Sequence, residues 1–195
     1  MDKNLTIFAV DDEPIVLELY QNIFAKEQKS KLDFFKALDN NEDGDKVDLH
    51  TFTNGEAYLK ALKQRYANGK RVPISILDMR LPQMHGLEIA KEARKIDPDM
   101  TIVIVTAYSD YSVKELMEEL ADRVYYMRKP FKIDELYALV HSNLKEWNEV
   151  AQEKALHKEL SIDMTQDGFW SWNPTNDDIY FSPRWKEMIG YEDKE

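Results

Sequence analysis

Residues 74–82 read Ile-Ser-Ile-Leu-Asp-Met-Arg-Leu-Pro, and Gly86 stands four residues beyond the proline. The first four are apolar on both faces and too few for a helix, so they predict a strand of a parallel sheet covered by helices on either side. Residues 5–10, 102–105 and 124–127 have the same character, and 47–52 form a weaker fifth run in which Leu49 and His50 break the pattern. Between the runs lie amphipathic stretches at 14–26, 56–67, 86–95 and 112–121, and another begins near Ile133. In the third of these Leu87, Ile89, Ala90 and Ala93 fall on one face, while Glu88, Lys91, Glu92 and Arg94 make the polar remainder. Strand then helix, repeated along the chain, predicts right-handed crossovers and an open, doubly wound α/β sheet.

The chain has 195 residues, enough for one full domain of about 150 and an appendage. Its composition, 43% hydrophobic and 32% charged with 6 Gly and 7 Pro, excludes the disordered and collagenous classes. No run reaches the length of a membrane span, and the start MDKNLTIFAVDDE has acids where a secretory signal needs cations and then apolar residues. With no Cys, disulfides, thiolate catalysis and Cys-ligated zinc are excluded, and a cytoplasmic location is expected. The net charge of −11 disfavours nucleic acid as a direct partner.

In an open α/β sheet ligands bind beyond the carboxyl ends of the strands, and here those ends are chemically specific. They carry Asp11-Asp12-Glu13, Asp78, Thr106-Ala107 and Lys129-Pro130. Three carboxylates converging in one crevice repel each other unless a cation sits among them. Mg2+, which works with one or two carboxylates, water and phosphate oxygens, suits that set. Lys129 adds a mobile positive charge and Thr106 a hydroxyl donor, both fit to hold phosphoryl oxygens.

These residues resemble the receiver domain of two-component response regulators. The likeness rests on Asp11-Asp12, the run from Ile76 to Pro82 with Gly86, Thr106-Ala107, and Tyr126 three residues before Lys129-Pro130-Phe131. It implies a flavodoxin-like five-stranded sheet in the order 2-1-3-4-5 over residues 1–140. It also implies that Asp78 accepts a phosphoryl group from a histidine kinase or phosphotransfer protein. Asp12 and Asp78 would bind Mg2+ with the Arg80 backbone carbonyl, and Asp11 would act mainly through water. Thr106 and Tyr126 would be the switch, Lys129 would hold the phosphoryl oxygens, and the Lys129-Pro130 bond would be cis. The domain is then a phosphoacceptor that assists its own labelling, with any enzyme lying in an output domain beyond residue 195.

Taken singly, each piece has an ordinary explanation. Asp12 and Glu13 suit the first turn of a helix entered at Pro14, Tyr126 suits a core, and Lys129 suits solvent. Their joint occurrence at successive strand ends favours the receiver. A phosphatase of the haloacid dehalogenase type needs an acid two residues after its nucleophile, where Arg80 stands, and a nucleotide module needs G-x-G-x-x-G where the chain has DDEP. A receiver fold that only binds partners is disfavoured by the intact acid, threonine and lysine set.

Two stretches depart from that frame. The connection KSKLDFFKALDNNEDGDK is longer than the usual span of about 2–6 residues, so 28–46 is an insertion. Within it Asp39, Asn41, Asp43 and Gly44 match the first half of a calcium loop, but His50 occupies the place of the closing Glu, and an acidic turn is expected instead. Past the fifth helix, Leu136, Val140, Leu144, Trp147, Ala151 and Ala155 continue an apolar seam, predicting a linker helix over 141–160 that pairs two chains into a homodimer. His141 and His157 read as solvated helix positions. The aromatic segment 161–195 resembles the first strands and short helices of a PAS sensor domain through Trp170, Trp172, Tyr180, Phe181, Trp185, Met188, Gly190 and Tyr191.

Overall fold

The computed structural model describes residues 4–24, 46–107, 113–120, 122–163, 170–173, 178–181 and 183–190. The insertion with Asp39, Asn41, Asp43 and Gly44 lies outside the described residues, as does Tyr191. Strands and helices alternate as β1 (Asn4–Val10), α1 (Pro14–Phe24), β2 (Lys46–Phe52), α2 (Gly55–Ala67), β3 (Ile74–Leu77), α3 (Gly86–Ile96), β4 (Thr101–Thr106), α4 (Val113–Leu120), β5 (Val124–Arg128) and α5 (Ile133–Asp163). The strands form one parallel sheet in the order β2-β1-β3-β4-β5. This is the flavodoxin-like arrangement expected from the sequence.

The period of two along β1 sorts its side chains between two cores. Phe8 and Val10 join Tyr58, Leu62, Leu77, Ile89, Ile102 and Ile104 beneath α2, α3 and α4. Ile7 and Ala9 join Tyr20, Ile74, Ile76, Val103, Val105, Leu136, Val140 and Leu144 beneath α1 and α5. Each fully buried aliphatic side chain contributes about 1.5–3 kcal/mol, so the central strands carry much of the stability. Ser75 is tolerated at a fully buried position because the Tyr58 hydroxyl donates to its Oγ at 2.9 Å, and that Oγ lies 3.1 Å from the Met100 sulfur. At the opposite end of the sheet from the site, Arg71 grips the buried Asp97, with Nε at 2.7 Å from Oδ2.

One expectation needs correction. Residues 124–127 are not buried on both faces: Val124 is buried, Tyr126 and Met127 are half-buried, and Tyr125 is 37% exposed. Arg94, on the polar face of α3, has a structural task. It is half-buried, and its guanidinium donates to the carbonyls of Pro98 at 2.7 Å and Asp122 at 2.9 Å, tying two loops at the amino ends of β4 and β5.

The chain divides into two units, Met1–Lys145 and Glu146–Glu195. In the second, β6 (Trp170–Asn173) and β7 (Asp178–Phe181) form an antiparallel pair with Trp170 opposite Phe181. Helix α6 (Pro183–Met188) follows, and Trp185 stacks on Phe181 with ring centroids 4.4 Å apart. Trp170, Trp172, Ile179, Tyr180, Met188 and Ile189 are exposed.

Candidate functional site

Because all five strands run parallel, β1, β3, β4 and β5 deliver the residues that follow them to one edge of the sheet. Neighbouring strands hold the backbone one step beyond the ladders. The Asp11 N–H donates to the Phe52 carbonyl at 3.1 Å, the Asp78 N–H to the Val10 carbonyl at 3.0 Å, and the Lys129 N–H to the Thr106 carbonyl at 2.8 Å. The anchors are therefore main-chain bonds of the sheet, and the side chains they carry have little freedom to drift.

Lys129 is the hub of the side-chain arrangement. Its ammonium donates to Asp11 Oδ2 at 2.7 Å and lies 3.4 Å from Asp78 Oδ1 and 3.5 Å from Glu13 Oε1. The other oxygens are also engaged: Asp11 Oδ1 accepts from the Glu13 N–H at 3.1 Å, and Asp78 Oδ2 from the Arg80 N–H at 3.0 Å. Asp11 is 0% and Asp78 6% exposed. The Lys129-Pro130 bond is cis. Behind Asp78, the Gly86 N–H donates to the Met79 carbonyl at 2.9 Å. A Cβ on Gly86 would stand 2.6 Å from Met79 Cα and closer still to the Asp78 carbonyl oxygen, so only glycine lets α3 start this close to the end of β3.

Burial shapes the electrostatics. It raises the Asp11 carboxyl above the usual range, aided by the neighbouring Asp78 charge, although Lys129 and the Glu13 N–H act in the opposite direction. For Lys129 burial works against the charge, but the hydrogen bond and charge of Asp11, then those of Asp78, outweigh it and raise the ammonium above its ordinary value. Lys129 therefore stays cationic among an excess of carboxylates. Lys129 is thereby held as a positive charge directly beside the Asp78 carboxylate.

The structure brings together Asp11, Asp78 and Lys129 and adds Glu13, which the sequence placed at the strand end without a task. The three carboxylates of Asp11, Glu13 and Asp78 converge on the Lys129 ammonium. Asp12 is exposed, and among the described residues no three acidic or histidine side chains converge as metal ligands. Neighbouring residues at a strand end point to opposite sides, which buries Asp11 and turns Asp12 outward. Thr106 is fully buried at the end of β4, and Tyr126 is half-buried against the core beneath α2, α3 and α4. Arg80 is exposed and pairs through its backbone with His85.

Residues 34–141, more than half of the chain, match the family described as the response regulator receiver domain. The chain belongs to that family. The matched receiver range begins after β1 and α1, so Asp11 enters the site through its contact with Lys129 and not through the match. Among curated relatives, the DNA-binding transcriptional regulator NtrC of Escherichia coli K12 is 33% identical over 106 residues, covering 53% of this chain and 21% of its own length. Response regulator ArlR of Staphylococcus haemolyticus is 35% identical over 126 residues, covering 64% of this chain and 52% of its own. The receiver chain thus spans about a fifth to a half of these relatives. Among solved structures, a CheY-like receiver domain protein from Methanospirillum hungatei superposes with a TM-score of 0.55 over 74% of this chain and 97% of its own at 20% identity, a likeness of fold.

Proposed function

We propose that this receiver accepts a phosphoryl group on Asp78 from the phosphohistidine of a histidine kinase or phosphotransfer protein. The observation that carries the reading is the Lys129 ammonium set between the buried Asp11 and Asp78 at the strand ends. An Asp78 oxygen attacks phosphorus in line, the P–O bond forms as the P–N bond breaks, and the bonding pair leaves on the donor imidazole, which keeps the proton on its other ring nitrogen. Lys129 neutralises charge on the transferred oxygens, while the Arg80 N–H orients the attacking carboxylate.

The donor set fits Mg2+, which takes one or two carboxylates together with carbonyls and water and so does not need three converging acids. Asp12, Asp78 and the Arg80 carbonyl would hold it, with Asp11 acting through water. When bound, it supplies further neutralisation of the phosphoryl oxygens.

Thr106, buried at the end of β4, and Tyr126, half-buried on β5, are the proposed switch that passes the charge change to α4 and β5. We read residues 1–140 as the receiver, 141–160 as a linker helix that pairs two chains, and 161–195 as the beginning of a PAS domain. The β6–β7 pair followed by α6 supports the last of these. Among the described residues no helix is long and apolar enough to cross a membrane, and the net charge of −11 favours protein partners in the cytoplasm over direct contact with nucleic acid. Incubation with acetyl phosphate and Mg2+ followed by intact mass should show one phosphoryl adduct that Asp78→Ala abolishes. Equal labelling of Asp78→Ala would sink the assignment.

A further inference from the structure

Tyr20 is among the largest fully buried side chains, yet its hydroxyl has no hydrogen-bond partner among the described residues. An unpartnered buried hydroxyl is costly. The position of the ring makes this one informative. Tyr20 stacks on Phe131, with centroids 6.1 Å apart and planes at 15°, and Phe131 is two residues past Lys129. The phenol therefore sits toward the end of the sheet that carries the site. Helix geometry agrees, because side chains lean toward a helix's amino end, and α1 begins at Pro14, three residues after Asp11. Burial first, and then the charges of Asp11, Asp78 and Glu13 in that order, raise the phenol's pKa, so it stays a neutral donor.

In the state described, Lys129 donates to Asp11 and stands farther from Asp78, at 2.7 Å against 3.4 Å. A phosphoryl group on Asp78 carries more charge than the carboxylate it replaces and draws the ammonium toward itself. Asp11, fully buried, then loses its strongest donor and needs another. We propose that Tyr20 is a positioning residue of the phosphorylated state: its hydroxyl donates to the Asp11 carboxylate once Lys129 turns to the phosphoryl group. The inference rests on Asp78 being the acceptor. Its consequence is that a cost borne by the unphosphorylated protein is removed on phosphorylation, biasing the domain toward the labelled state.

Tyr20→Phe keeps the ring and deletes only the hydroxyl. The measurement is the melting shift of the full chain on loading with Mg2+ and beryllofluoride, a phosphoryl mimic, with acetyl phosphate labelling followed in parallel by intact mass. Without the mimic, Tyr20→Phe should melt at or above the parent. Its shift on loading should be smaller than the parent's by roughly 3–8 °C, the scale of one hydrogen bond to a charged acceptor. Tyr20→Leu, which also loses the stack on Phe131, should melt lower when unloaded yet show the same reduced shift. If both variants shift as far as the parent, Tyr20 is core filler and the proposal is overturned. A parent that neither shifts nor labels overturns the phosphoacceptor reading itself, an outcome that the variants alone could not produce.

Discussion

Leu136, Val140 and Leu144, in the first turns of α5, are at most 2% exposed, whereas Trp147 and Val150 are half-buried and Ala151 is exposed, although the apolar spacing runs on unbroken. The first three belong to the core shared with β1, β3, β4 and α1; the later ones belong to the second unit. One helix thus carries one pattern under two conditions. Period 3.6 shows which face is apolar but not what covers it. Leu144 falls on the receiver side of the division, so the proposed pairing with a second chain would start at Trp147 and not earlier.

The strongest challenge to this contrast is a matched pair of truncations. Leu136→Ala should cost about 3 kcal/mol, as other buried leucines do, while Val150→Ala should change stability by less than about 0.5 kcal/mol. Urea unfolding of both variants checks it, and comparable losses would mean that both halves are core. Gly86→Ala should come next, at about 2 kcal/mol, because the new Cβ forces α3 away from Asp78; it should also slow acetyl phosphate labelling. Tyr58→Phe should lose about 1 kcal/mol through the lost donor to Ser75 Oγ, read from the same urea midpoints. On the distal half, Trp147→Glu with Val150→Glu should leave the melting temperature within about 2 °C while converting a sedimenting dimer to monomer. A parent that is monomeric at high micromolar concentration would end the pairing idea. The smallest effect is expected from a chain ending at Lys145, which keeps every site residue and should label Asp78 within about twofold of the parent, a difference worth less than about 0.5 kcal/mol.

The sheet was legible because strands buried on both sides read as apolar runs and because the acids, threonine and lysine fall where those runs stop. Residues 74–77 emerge as β3 without a change of boundary. The expected order already put β5 at an edge, but the apolar run 124–127 did not reveal that Tyr125 is exposed, since a strand carrying Tyr125 and Tyr126 reads as apolar as a fully buried one. At the site, spacing along the chain placed Asp11, Asp78 and Lys129 together, but Glu13 joined them only because the turn before α1 brings its carboxylate to 3.5 Å from the ammonium. Arg94 and Tyr20 were invisible for a related reason. A half-buried guanidinium serving carbonyls and a buried phenol without a partner are both facts of tertiary packing, and neither leaves a mark in local periodicity.

The four residues of β3 are paired on both sides, Ile74 with Ile7 and Thr101, and Leu77 with Val10 and Ile104. Side chains alternate at every step, so loss of a single codon here would exchange the two faces and bring the Met79 thioether to the place of the Asp78 carboxylate. Insertion and deletion scanning of the gene should therefore find an abrupt intolerance at these few codons, with signalling lost even in survivors that still fold.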